Sequence, residues 1–178
     1  MKLLKSFVIV GALTLAAMAA SAADVVASAP DLSTNVAESY QIRNVKYGDL
    51  LRPKDANAAD GTVIVLYPAE PWKCMTWKLL PAGDSVYRIK NHFTAKTFQL
   101  SGDEKLVQIP FAKNEASEPA WRFTKLPDGF FEISDAKSGR ALTAIGDGDA
   151  VHIEEAKWEA KPEQKWNLEK IDPATLTM

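Results

Sequence analysis

The chain has 178 residues, of which 47% are apolar and 25% charged, enough for one domain or one and a half. That balance excludes wholesale disorder, collagen-like repeats and disulfide-rich miniproteins. The 21 basic and 23 acidic residues leave a formal charge of −2, without the electrostatic footprint of a nucleic-acid or anionic-lipid binder. A single cysteine, Cys74, permits no intrachain disulfide, and two histidines restrict imidazole-based metal or acid–base sites.

Residues 1–22 read as a secretory signal peptide. Lys2 and Lys5 form a charged start, residues 7–20 are an unbroken run of small and apolar side chains, and Ala20-Ser21-Ala22 supplies the small-x-small pattern that precedes cleavage, here near Ala22-Ala23. The apolar run is shorter than the about 20 residues of a spanning helix, so no membrane span is expected after cleavage. The Ala-rich leader is of bacterial type and predicts a periplasmic or secreted product. Residues 23–38 are rich in Ala, Ser, Asp and Val and show neither strand nor helix periodicity, which predicts a flexible lead-in. Residues 172–178 read as a short tail.

Between these segments a pattern is written three times. Trp77, Trp121 and Trp166 are spaced 44 and 45 residues apart, in the contexts Trp77-Lys78-Leu79, Trp121-Arg122-Phe123 and Trp166-Asn167-Leu168. Each unit opens on an aromatic–polar–aliphatic triplet: Tyr40-Gln41-Ile42, Tyr87-Arg88-Ile89 and Phe131-Glu132-Ile133. Such alternation marks a half-buried strand. Leu50-Leu51, Phe98-Gln99-Leu100 and Ala141-Leu142 predict a second strand per unit, and the apolar runs starting at Val63, Val107 and Val151 a third. Turn residues precede the third strand at Asp60-Gly61, Ser101-Gly102-Asp103 and residues 146–149, and separate units at residues 81–84 and 127–129.

The expected architecture is all-β, with three units of four strands over residues 39–171 (about 40–81, 87–127 and 131–171). The tryptophans belong to the last strand of each unit. One such unit has too little interior to bury its own apolar face, whereas three around an axis do. Trp77, Trp121, Trp166, Tyr40, Tyr87 and Phe131 are therefore expected in a shared core. One helical turn is expected within residues 112–119.

The pattern resembles the ricin B-type β-trefoil lectin family. Residues 87–91, Tyr-Arg-Ile-Lys-Asn, are similar to the family's usual unit start, residues 137–142 resemble its Ser-Gly-Lys-x-Leu segment, and Gln164-Lys165-Trp166 matches its Gln-x-Trp signature in full. The other two units hold Met75 and Pro119 in place of the glutamine. The resemblance implies a β-trefoil that binds a carbohydrate or glycoconjugate. In that family each unit brings an Asp at the end of its second strand, an aromatic near the third and an Asn-Gln pair before the tryptophan. At the Asp position this chain has Arg52, Gln99 and Thr143. At the amide pair it has Cys74-Met75, Glu118-Pro119 and Glu163-Gln164, and near the aromatic position Leu66-Tyr67, Pro110-Phe111 and Glu154-Glu155.

The candidate sugar-binding residues are accordingly Tyr67 and Trp72 beside Arg52 in the first unit; Gln99, Gln108 and Phe111 in the second; and Thr143, Asp147, Glu154, Glu163 and Gln164 in the third. A pyranose offers vicinal hydroxyls to carboxylates and amides, and one C–H face to an aromatic ring. No cofactor and no metal site is expected: Val151 falls where a calcium loop spaced from Asp147 needs a ligand. The chain is expected to bind rather than catalyse. A first rival reading is a protein-interaction module, such as a toxin-accessory subunit or an inhibitor, that has lost sugar binding; a second is a small hydrolase.

Overall fold

A computed structural model describes residues 30–32, 36–112, 117–148 and 151–177. The leader, most of the lead-in, residues 113–116 of the expected helical turn, and Asp149 lie outside the described residues. Twelve strands run in chain order: β1 (Glu38–Asn44), β2 (Leu50–Pro53), β3 (Ile64–Tyr67), β4 (Thr76–Gly83), β5 (Val86–Asn91), β6 (Thr97–Leu100), β7 (Leu106–Ile109), β8 (Trp121–Lys125), β9 (Phe131–Asp135), β10 (Ala141–Ile145), β11 (His152–Ala156) and β12 (Lys165–Lys170). The three aromatic openings start or lie in β1, β5 and β9, and the three tryptophans lie in β4, β8 and β12.

These six strands close into a barrel. Antiparallel pairings run β1–β4, β4–β5, β5–β8, β8–β9, β9–β12 and back from β12 to β1. The remaining strands form three hairpins, β2–β3, β6–β7 and β10–β11. They meet one another cyclically, through Val63 with Val107, Lys105 with Glu154, and His152 with Val65. A barrel capped by a triplet of hairpins is a β-trefoil, the architecture the resemblance implies.

Burial follows the alternation. Trp77, Trp121 and Trp166 are each 0% exposed, and Tyr40, Tyr87 and Phe131 are also buried. Phe98 wedges between two of the tryptophans, its ring centre 5.1 Å from both Trp77 and Trp121. Trp77 Nε1 donates to the Leu51 carbonyl at 2.8 Å and Trp166 Nε1 to the equivalent Leu142 carbonyl at 3.1 Å, tying barrel to cap. The same nitrogen of Trp121 is buried without a partner among the described residues.

One turn recurs three times. The first strand of each unit ends on Asn44, Asn91 or Asp135. Its side-chain oxygen accepts backbone N–H groups two and three residues on: those of Lys46 and Tyr47, of Phe93 and Thr94, and of Lys137 and Ser138. The turn closes on a residue with positive φ, Gly48 (73°), Ala95 (57°) or Gly139 (69°). Asn44 and Asn91 also donate, at 2.9 Å, to the carbonyls of Glu163 and Cys74 just before the tryptophan strands.

Three expectations about segment ends change. The break expected at residues 81–84 is strand: β4 continues to Gly83 because a bulge between Pro81 and Gly83 absorbs the proline, and the turn is Asp84–Ser85 with Ser85 at φ 56°. The lead-in is partly tied down, since Leu32 packs against the core and its carbonyl accepts the Tyr87 hydroxyl at 2.5 Å. The tail also docks: Asp172 caps a short 3-10 turn at Pro173–Thr175, and Thr177 bridges to Trp72. Among the described residues no helix is long and apolar enough to cross a membrane.

The tryptophan bonds give a testable asymmetry. Trp77→Phe leaves the Leu51 carbonyl without its donor, whereas Trp121→Phe removes a donor that has no acceptor. Both lose volume, so Trp77→Phe is expected to be the more destabilising by about 1 kcal/mol, read from denaturant melts of the two variants. Equal losses would show that the bond carries no net weight.

Candidate functional site

The strand register defines which residues of the three units are equivalent. Arg52, Gln99 and Thr143 pair across their hairpins with Val65, Val107 and Glu154. Leu50, Thr97 and Ala141 pair with Tyr67, Ile109 and Ala156. The aromatic position is thus Tyr67, Ile109 and Ala156. Phe111 and the Glu154-Glu155 pair, assigned there from sequence, are out of register with it, and the first unit keeps an aromatic.

The third unit brings several expected residues together. Thr143, Asp147, Glu163 and Gln164 border one cleft of about 490 Å3. The wall opposite β10 comes from elsewhere in the chain: Lys46 and Tyr47, in the β1–β2 turn, join it because β1 pairs with β12. The Tyr47 hydroxyl donates to the Gly146 carbonyl at 2.7 Å, which fixes the ring at the cleft edge. Lys157, Glu159 and Lys161 complete the rim. Tyr47 and these rim groups were missed in the sequence. Tyr47 matches Thr94 and Ser138 in the other units, so the repeat itself gives no signal for an aromatic there.

Each side chain in the cleft has a definable task. Gln164 is buried and fully used: its Oε1 accepts the Glu159 N–H at 2.7 Å, and its Nε2 donates to the Lys157 carbonyl at 2.7 Å and to Thr143 Oγ1 at 3.2 Å. It folds the rim loop of residues 157–164 onto β10. Glu163 pairs with Lys46 at 2.9 Å, and this hydrogen bond holds its carboxyl below the ordinary range. Asp147 is exposed and has no hydrogen-bond partner among the described residues. Glu154 does not border the cleft; it pairs with His152 at 2.7 Å.

A smaller, equivalent cleft of about 260 Å3 lies between the second and third units, bordered by Gln99, Ser117, Asp135, Lys137 and Ser138. Gln99 is exposed there. Gln108 is turned inward, its Nε2 donating to the carbonyls of Asn57 (3.2 Å) and Ala59 (2.9 Å), so its amide braces a neighbouring loop. Phe111 lies beyond β7 with the charged ends of Arg88 and Lys90 at 5.8 and 5.2 Å from its ring centre. In the first unit the guanidinium of Arg52 lies 3.6 Å over the Tyr67 ring, and Tyr67 lies beside Trp72 with ring centres 6.0 Å apart. Cys74 is buried and burial pushes its thiol pKa up. Among the described residues no group of three or more His, Cys, Asp and Glu is placed to hold a metal ion.

Outside the clefts, Ser39 Oγ lies 2.8 Å from His92 Nε2. Burial, with Lys78 and Lys73 nearby, pushes the imidazole pKa down.

Comparison with known proteins bears on the fold. Residues 29–108 match the model of a family described as ricin-type β-trefoil lectin domain-like. No curated protein sequence matches the chain. Among solved structures, a designed three-fold symmetric protein, ThreeFoil, superposes with a TM-score of 0.68 at 19% identity, over 75% of this chain and 99% of that one. The C-half of an earthworm R-type lectin, solved in complex with GalNAc, gives 0.60 at 19% identity, over 75% and 99%. The cytolethal distending toxin of Actinobacillus actinomycetemcomitans gives 0.63 at 15% identity, over 74% and 90%. The chain therefore has a β-trefoil fold, with the family match falling on its first unit and about half of its second.

Gln164→Ala is expected to cost about 1–3 kcal/mol and to raise hydrogen exchange across residues 157–163, because three hydrogen bonds, one of them fully buried, lose their partner. Glu163→Gln removes only a surface pair and is expected to cost under about 1 kcal/mol. His92 gives a pH prediction. Its folded pKa is depressed, so the unfolded chain takes up its proton first as pH falls. The native state is then undercut progressively below the unfolded value near 6.5. His92→Gln is expected to flatten that acid-side decline in thermal melts between pH 8 and pH 5, and an unchanged slope would clear the imidazole.

Proposed function

We propose that this chain is an exported carbohydrate-binding protein that binds without catalysing, with its main sugar site in the third-unit cleft. One observation carries the reading: the cleft sets an anchored aromatic, Tyr47, beside the exposed carboxylate of Asp147, which has no hydrogen-bond partner among the described residues, over a floor held by Thr143 and Gln164. A ring edge for the C–H face and convergent oxygens for vicinal hydroxyls are what a pyranose requires. The volume falls in the range of small-ligand sites. The GalNAc complex of the earthworm lectin, on the same fold, supports it. Single shallow sites of this kind bind at about millimolar Kd, with avidity supplied by multivalent glycans. The leader at residues 1–22 supports export.

A second reading, a non-catalytic protein-interaction module, is favoured by the absence of the family's Asp from all three units and by the toxin among the structural neighbours. The two readings separate on a glycan array printed at high density, with the purified protein applied with and without free sugar. The carbohydrate reading expects binding that free sugar displaces. It also expects at least a tenfold loss in Asp147→Ala with melting unchanged, and a like loss in Tyr47→Ala measured well below that variant's lowered melting point, since the ring packs against the core. Silence across the array, with a partner co-purifying through a sugar wash, would replace it by the second reading.

A further inference from the structure

Arg52 is the most unusual charge in the molecule. It stands at the end of β2, where the resemblance implies a carboxylate. It is 7% exposed, and its Nε is buried with no hydrogen-bond partner. Among the described residues no carboxylate pairs with it; what surrounds it is the Tyr67 ring, the Trp72 ring beyond that, and the Cys74 thiol. Burying a cation without a counter-charge is costly, and stacking on one ring returns only part of that cost. A stacked guanidinium is also a rigid fork whose geometry matches a carboxylate.

The surroundings are preorganised. The backbone on either side of Trp72 is clamped by the C-terminal segment, through Lys73 N–H to the Thr177 carbonyl at 3.0 Å and Thr177 N–H to the Pro71 carbonyl at 2.9 Å. Gln41 Nε2 holds the Glu70 carbonyl at 2.9 Å. Tyr67, at 37% exposed, and the half-buried Trp72 thus form a fixed aromatic surface beside an uncompensated positive charge. The equivalent positions in the other units, Gln99 and Thr143, are uncharged, so this charge is particular to the first unit.

We infer that the first unit is a second binding site, selective for a saccharide bearing a carboxylate, with Arg52 taking the carboxylate and the Tyr67–Trp72 surface taking the sugar ring. A sugar that supplies the missing negative charge completes the arginine's environment, whereas a neutral sugar leaves it uncompensated. This rests on the carbohydrate reading above but not on the third-unit cleft.

The test uses the purified full chain and three probes at matched ionic strength: methyl galacturonoside, its uncharged methyl ester, and acetate. Binding is read by tryptophan fluorescence and by protein-observed NMR. The acid is expected to bind at least tenfold more tightly than the ester, with shifts at the Trp72 indole, and acetate to produce none at the same concentration. Arg52→Gln is expected to abolish the preference for acid over ester, and Trp72→Ala to weaken both. Should Arg52→Gln not fold, the acid–ester comparison on the unaltered protein together with Trp72→Ala decides the matter. Equal binding of acid and ester overturns the inference, as does shifting by acetate alone, which would point to a general anion or acidic-peptide site. Neutral glycans binding through Asp147 while the acid does not would sink this site and leave the carbohydrate reading standing; no sugar binding anywhere would sink both.

Discussion

The pairing of β1 with β12, from Tyr40 opposite Lys170 to Asn44 opposite Trp166, joins the first unit to the last and closes the barrel. Without it two strand edges would be open to water and the three tryptophans would lose their common enclosure. With it, each tryptophan is sealed beneath the hairpin cap, and two of the three indoles are tied to that cap by hydrogen bonds. No single unit owns this interior. Each tryptophan lies beside the aromatic that opens its own unit and also pairs with the first strand of the next, as with Trp166 opposite both Phe131 and Asn44.

Closure also makes the surface clefts composite. Each of the two clefts lies between the second strand of one unit and the β1–β2-type turn of the next, so its two walls are far apart in sequence. The turn is rigid because an Asn or Asp side chain satisfies its backbone and a residue at positive φ ends it. What varies among units is what that shared frame presents. Lys46 and Tyr47 occupy one copy, Lys137 and Ser138 another. A threefold scaffold thereby carries chemically different sites without altering its core.

The polar groups divide by burial. Gln164 and Gln108 resemble sugar-binding amides in sequence, yet both are buried and turned to backbone carbonyls, where they hold loops. Asp147 and Gln99 remain exposed. The Gln164 amide, with both ends bonded, and the Gln108 NH2 group, donating to two carbonyls, give up those bonds only at the cost of stranding their partners, so they support a site rather than contact a ligand. Arg52 is the converse case, a nearly buried group whose Nε has no partner among the described residues.

By itself the sequence determined the repeat, the twelve strands, the six core aromatics and the β-trefoil they build, because strand alternation and tryptophan spacing are local signals that survive in every copy. It also located the third unit's concentration of polar residues. It did not determine that Tyr47 reaches across to Gly146, that Phe111 is out of register with Tyr67, or that the tail clamps Trp72. Those depend on which strand neighbours which once the barrel closes, and on the bulge at Pro81 and the exact cross-strand pairing. Only the tertiary structure decided them, because contacts between residues a hundred positions apart leave no trace in a period of 44.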